Sequence, residues 1–394
     1  MNKTPMLAVS NRLRSTPFTG RLQQQGVSAF TVYNHMLLPA EFASLEEDYW
    51  HLCEHVQVWD VGAERQVSIK GKDAGRLVQW MTPRDIRKTD IGRCVYVPLA
   101  DEQGMMLNDP LALKLAEDHW WLSMADSDVL LWAKGLATGA NMDVTVSEPE
   151  VWPLAVQGPK ADQLMTRVFG AGVMDIRFFR FAPMNFNDHA FLVARSGWSK
   201  QGGYEIYIDD AATGLALYDA LFEAGAEFEV RPGCPNLIER LEGGLLSFGN
   251  DMTLQHTVLE CGLDRFFSLD HNAESLSLAA LRQQKAQGLE RKLLGLALPA
   301  ADRSYTLKSA GTPPFLINET GELVGRLGSQ AWSPRHQIQL ATVMLEKPFL
   351  NKSTLKLQLH NDQLATAQVV DLPFDFTLPV LNPKSRHAPS RSYT

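Results

Sequence analysis

Several features that mark common protein classes are scarce or missing from this chain. Its four cysteines, Cys53, Cys94, Cys234 and Cys261, lie far apart and form no C-x-x-C pair. Neither a zinc site nor a small disulfide framework is signalled, and reduced thiols are expected. No apolar run approaches the ~20 residues of a membrane span, and the opening "MNKTPMLAVSNRLRS" lacks the apolar centre of a secretory signal. The expected location is the cytoplasm. No dense Lys/Arg run occurs and the formal net charge is -8. Nucleic acid and anionic membranes, which need a basic face, are therefore not expected partners. Familiar catalytic signatures are missing as well. "HLCEH" sets His51 and His55 four apart but lacks the second-position glutamate of H-E-x-x-H, which leaves a polar helix face. "GKDAGR" and "SKQGGYE" match neither a P-loop nor G-x-G-x-x-G, and "GLLSFG" is not G-x-S-x-G.

What is present is a globular composition, 45% hydrophobic and 21% charged over 394 residues. That is enough for two or three domains rather than one core, and it suits a small-molecule enzyme. Apolar spacing predicts a helix in "FASLEEDYWHLCEHV" that gives way to a strand at "VQVWDV", and a short helix in "KDAGRLVQWM". "LALKLAEDHWWLSMA" reads as a hairpin turning at Glu117-Asp118. "VLLWAKGLA" reads as a helix and "DVTVSE" as a strand. "WPLAVQGPKADQLMTRVF" reads as strand, turn and helix, with Pro159 in the first helical turn. "AATGLALYDALFEAG" and "NLIERLEGGLLSFG" read as helices, and the region from Lys292 to Asp375 as β-rich.

The stretch "SGWSKQGGYEIY" concentrates unusual side chains. "HAFLVARSG" and "GYEIYID" predict paired strands joined by a glycine-containing loop. Period-2 alternation puts Tyr204, Ile206 and Ile208 on one face and Glu205 with Tyr207 on the other. Alternation alone would leave Glu205 and Tyr207 in water. A carboxylate flanked by aromatic rings, just past the Gly202-Gly203 pair, also suits a flat heterocycle that presents two adjacent N–H donors.

The same stretch resembles the "TGYTGExGYEI" segment of the folate-dependent aminomethyltransferase family, the T-protein of the glycine cleavage system and its relatives. Further resemblances follow in order: "YNHMLLP" (33–39), "VWDVGAERQVSIKGKDA", "CVYVPLADEQGMMLNDPLAL", "LAVQGPKA", "IERLEGG" and "SPRHQIQLATV". Their order and spacing over about 340 residues carry the assignment. "YNHMLLP", "ARSGWSKQGG" and "GNDMT" most resemble the branch that demethylates dimethylsulfoniopropionate. The resemblance implies transfer of a sulfonium methyl group to N5 of tetrahydrofolate, with no metal. The products would be 5-methyltetrahydrofolate and 3-(methylsulfanyl)propanoate.

In the family the glutamate of G-Y-E binds the pterin ring, and Glu205 holds that position here. Tyr96, Tyr207 and Arg240 are the other implied cofactor contacts, while Asn236 stands where the family carries a second arginine. Aminomethyltransferases end the segment "GgiiDD" with two aspartates, the first important for catalysis, whereas this chain has Asn108-Asp109. Asparagine can neither carry charge nor take a proton. A sulfonium needs no such help, because it leaves as a neutral thioether. Asn108 and Asp109 are the implied catalytic residues, with Asp109 steadying charge or accepting the N5 proton. Trp198, Tyr207 and Tyr96 would wall the cation, and Lys200 would meet the donor's carboxylate.

The implied partner is a small molecule, a sulfonium or a methylated amine, and self-association into a homodimer is left open. Competing readings are an aminomethyltransferase served by a lipoyl carrier, a demethylase of another donor, and a folate-binding protein without catalysis. The implied architecture is α+β, a three-domain ring or cloverleaf with a β-barrel-like C-terminal domain. Residues 1–60 and 151–280 would form a discontinuous folate-binding domain, 61–150 an inserted α+β domain and 281–376 the β-rich domain. Residues 377–394 would be a tail without structure.

Overall fold

A computed structural model describes residues 10–299, 307–310, 314–378 and 381. Most of the expected tail therefore lies outside the described residues. The chain divides into two compact units: Met1–Ala74, Thr89–Val95 and Leu111–Asn236 form the first, and Gly75–Lys88, Tyr96–Pro110 and Leu237–Thr394 the second.

The first unit is built on a six-stranded sheet. Its order is Phe181–Phe186, His189–Ala194, Gly203–Ile208, Trp152–Gln157, Gln57–Asp60 and Arg231–Gly233. All neighbours are antiparallel except the last pair. Alternation sends Val58, Leu154, Val156, Phe191, Val193, Tyr204, Ile206 and Ile208 to one face. There they meet Leu164 of helix Ala161–Phe169 and Leu217 and Leu221 of helix Ala211–Ala224. The opposite face supplies Ala194 and Tyr207, which pack with Cys94, Leu113 and Trp121. Leu113 and Trp121 belong to the expected hairpin, Leu111–Ala116 paired with His119–Ser123, inside a second sheet of five strands. Both faces of the strand Gly203–Ile208 are thus covered.

The second unit carries a seven-stranded antiparallel sheet over the expected β-rich region. Its core is Leu294, Leu296, Leu316, Val343, Leu345, Leu357 and neighbours. The sheet curls: Asn318, just past one near-edge strand, bridges Leu357 of the strand at the other edge, and Leu307 bridges Leu359. Joining edges in this way removes the unpaired N–H and C=O groups of an open sheet.

Helices occur at Leu45–Glu54, Ala74–Met81 and Val129–Gly139, where spacing predicts them. The first starts on Ser44, whose hydroxyl accepts from the Glu47 N–H at 3.2 Å. Two boundaries differ. Pro159 lies in the turn ahead of the helix that begins at Ala161, not in its first turn. The helix expected across 236–249 stops at Gly243, because Gly244 takes φ +64° and ends it.

Among the described residues no helix is long and apolar enough to cross a membrane. The four cysteines are free thiols.

Candidate functional site

The strand Gly203–Ile208 pairs with His189–Ala194 through Ala194 opposite Glu205, as the hairpin reading expects. Gly202 and Gly203 take φ +80° and +149°. A Cβ on Gly203 would come within 2.1 Å of the Val156 carbonyl oxygen, so only glycine lets this strand start so close to its neighbour. The loop 196–202 borders a cavity of about 250 Å³ lined by Gln157, Asp162, Phe178, Arg195 and Ser199 among others.

Glu205 and Tyr207 are not in water. Their exposures are 8% and 1%. Ser196, buried at the end of the preceding strand, donates its hydroxyl proton to Glu205 Oε2. Glu205 Oε1 accepts no hydrogen bond from any described residue. Burial raises the Glu205 carboxyl above the ordinary carboxylate range, and the Ser196 hydrogen bond opposes that shift by favouring the charged form. Tyr207 packs against Trp121 with ring centroids 6.0 Å apart. Burial, and after it the Glu205 charge, lifts its hydroxyl well above the usual tyrosine range. Among the described residues that hydroxyl makes no hydrogen bond of good geometry, and the nearby Ser123 side chain slightly opposes the shift. Trp198 is half-buried and Lys200 exposed on the same loop.

In the second unit the short hairpin Leu99–Ala100 and Met106–Asn108 brings Asp109 back to Tyr96. The Tyr96 hydroxyl donates to Asp109 Oδ2 at 3.0 Å. Both are half-buried but closely surrounded by protein. Burial pushes the Asp109 carboxyl up to about 7, and the Tyr96 hydrogen bond restrains the rise. Asn108 is fully buried, and its Oδ1 accepts the Asp109 N–H at 3.0 Å. The Tyr96 ring meets Phe266 edge-on at 4.9 Å, and the Arg265 guanidinium lies 4.8 Å from the Phe266 centroid.

Arg240 is buried rather than on a helix surface. Its Nη1 pairs with Asp251 Oδ2 at 2.8 Å and its Nη2 donates to Ser329 Oγ. Asp251 also accepts from Thr342 Oγ1 at 2.6 Å and from the Ser247 N–H at 2.9 Å. Asn236 donates to the Leu45 carbonyl at 2.9 Å.

The structure therefore joins Glu205 with Tyr207 in one unit and Tyr96 with Asn108 and Asp109 in the other. It also brings in three residues that patterning did not single out: Ser196, Arg265 and Phe266. Ser196 opens the loop that follows the strand, a signal available in "ARSGWS". Among the described residues no group of three or more His, Cys, Asp or Glu is placed to hold a metal.

A family profile described as the GCVT N-terminal domain matches residues 18–271. The chain is similar to dimethylsulfoniopropionate demethylase of Ruegeria pomeroyi, at 48% identity over 342 residues, covering 86% of this chain and 91% of that protein. It is similar to an aminomethyltransferase of Clostridium botulinum at 27% identity over 351 residues, covering 86% and 90%. The crystal structure of the glycine cleavage system aminomethyltransferase T from Bartonella henselae superposes with a TM-score of 0.81 at 20% identity, over 92% of this chain and 98% of that one. That likeness shows the fold, the α+β type expected, with the curled sheet in its C-terminal part.

Proposed function

The chain belongs to the GCVT aminomethyltransferase family, and on that footing we propose that it is a tetrahydrofolate-dependent methyltransferase demethylating dimethylsulfoniopropionate. The observation that carries the proposal is Glu205, a buried carboxylate with one oxygen held by Ser196 and the other met by no donor among the described residues. A desolvated acid is stabilised by charge-assisted donors, and the adjacent N–H groups of a pterin edge supply two. The identity to the R. pomeroyi demethylase supports the donor.

When bound, tetrahydrofolate supplies N5 as the nitrogen that receives the methyl group. The chain's own residues then have separate tasks. Glu205 fixes the plane of the pterin, and the rigid packing of Tyr207 fixes the strand that carries Glu205. Trp198 offers an aromatic face to a cation. Asp109, poised near neutrality and hydrogen-bonded to Tyr96, takes the proton released as N5 is methylated. The thioether product departs neutral, so no acid has to serve it. Asn108 holds the Asp109 backbone and cannot itself exchange protons, which disfavours aminomethyl transfer. Arg240, enclosed in its network with Asp251, acts by holding segment 245–252 in place. The three-domain division, the cytoplasmic location and independence from metals, nucleic acid and membranes are part of the same proposal.

Incubation with tetrahydrofolate and dimethylsulfoniopropionate tests it. The expected products are 5-methyltetrahydrofolate and 3-(methylsulfanyl)propanoate. Turnover only with an aminomethylated lipoyl carrier would assign the aminomethyl reaction instead, and folate binding without any turnover would leave a binding protein.

A further inference from the structure

We propose that Arg265, held over Phe266, anchors the carboxylate of a short zwitterionic methyl donor whose cationic end meets Phe266, Tyr96 and Asp109. This rests on the methyltransfer reading above and adds the class of donor it accepts.

The residues come together in the second unit on a short 3-10 turn, Leu263–Phe266, entered through Gly262 in the left-handed region. Phe266 keeps 40% of its surface exposed while its ring meets that of Tyr96, so one face of the pair is open to a ligand. One side of that assembly is acidic: Tyr96 donates to Asp109 at 3.0 Å, and its ring in turn meets Phe266. The other side is basic. Arg265 lies over Phe266, and among the described residues its guanidinium makes one hydrogen bond, Nη1 to the Leu372 carbonyl at a long 3.3 Å.

An arginine has five donors in a planar fork that matches a carboxylate in bidentate fashion. Contact with a ring face limits its rotamers, so little further freedom is lost when an anion binds. Arg265 is exposed as a residue, and what burial it has lowers its pKa while the Tyr96 and Asp264 side chains oppose that. Aromatic faces and a carboxylate suit a sulfonium or quaternary ammonium. A donor bearing both charges on a short chain satisfies both sides. One bearing only the cation leaves Arg265 unused. A molecule bearing only carboxylates opposes Asp109. The cluster therefore selects betaine-like sulfonio- or ammonio-carboxylates. It assigns the anion to Arg265 rather than to Lys200.

Titration calorimetry with the full chain tests this without relying on turnover. The probes are dimethylsulfoniopropionate and ethyldimethylsulfonium, which lacks only the carboxylate. Arg265→Gln is expected to weaken dimethylsulfoniopropionate binding by roughly 10- to 100-fold, the loss of a charge-assisted pair. It is expected to leave ethyldimethylsulfonium and tetrahydrofolate binding unchanged, while Arg265→Lys restores part of the loss. In turnover the same variant raises KM with kcat preserved. Equal weakening of both sulfonium probes, weakened tetrahydrofolate binding, or an effect seen with Lys200→Gln instead would overturn the assignment. If the wild type binds dimethylsulfoniopropionate but transfers no methyl group, the methyltransfer reading fails while the Arg265 test still reads out. If wild-type binding of the two probes is equal, Arg265 is not an anchor.

Discussion

Burying a carboxylate is costly unless donors meet it, and Glu205 meets one when it has room for more. Its partner Ser196 favours the charged form, so Ser196→Ala should raise the Glu205 pKa further. Folate binding that needs the ionised acid strengthens as pH rises through that pKa and releases a proton. The midpoint should therefore move to higher pH in Ser196→Ala and return in Ser196→Thr, as read by calorimetry in buffers of different ionisation enthalpy. Asp109 gives a second pH signature. Its folded pKa, about 7, lies above its ordinary value. In strong acid both folded and unfolded forms carry the proton. As pH rises the unfolded chain ionises first, so stability is lost progressively up to about pH 7. The melting temperature of Asp109→Asn should exceed that of the wild type by a gap that opens from about pH 4 to 7 and then stays level. Turnover should rise with pH through about 7 in the wild type. In Asp109→Asn it should fall by roughly 100-fold or more with folate affinity kept.

Among the elements, the strand Gly203–Ile208 shows what patterning can and cannot reach. Its alternation, its antiparallel partner and its glycine entry are local properties, and all three are present in "ARSGWSKQGGYEIYID". The burial of its second face is not local. Cys94, Leu113 and Trp121, which cover Tyr207, lie far away in the chain, and no local period reports them. The acid therefore reads as a solvated strand residue until the second sheet is in place. The helix ending at Gly243 errs in the opposite direction, since an apolar run with helical spacing continues beyond the residue that stops it. Gly203→Ala tests the close approach. The added methyl meets the Val156 carbonyl in a strained backbone region, and the expected cost is roughly 2–3 kcal/mol by chemical denaturation.

At the scale of the whole chain, polar networks assemble residues that no motif connects. Arg240 pairs with Asp251, 11 residues away, and with Ser329, 89 residues away. In the sequence it is marked only by resemblance, as an implied folate contact, because the partners that bury it lie outside its helix. Removing its partner in Asp251→Leu leaves a buried, uncompensated guanidinium, so stability should fall by roughly 3–5 kcal/mol. Tyr96 and Asp109 were readable by resemblance, but their hydrogen bond depends on the intervening hairpin. Arg265 and Phe266 sit in an irregular turn with no periodicity to flag them. The most direct measurement is the binding of tetrahydrofolate to wild type and Glu205→Gln, with the stability of both proteins recorded. An amide presents donors where the pterin needs acceptors, so the variant should lose roughly 2–3 kcal/mol of affinity and should melt at the same temperature or higher, a desolvated acid having been removed. Equal affinity in the two proteins would contradict the role assigned to this carboxylate.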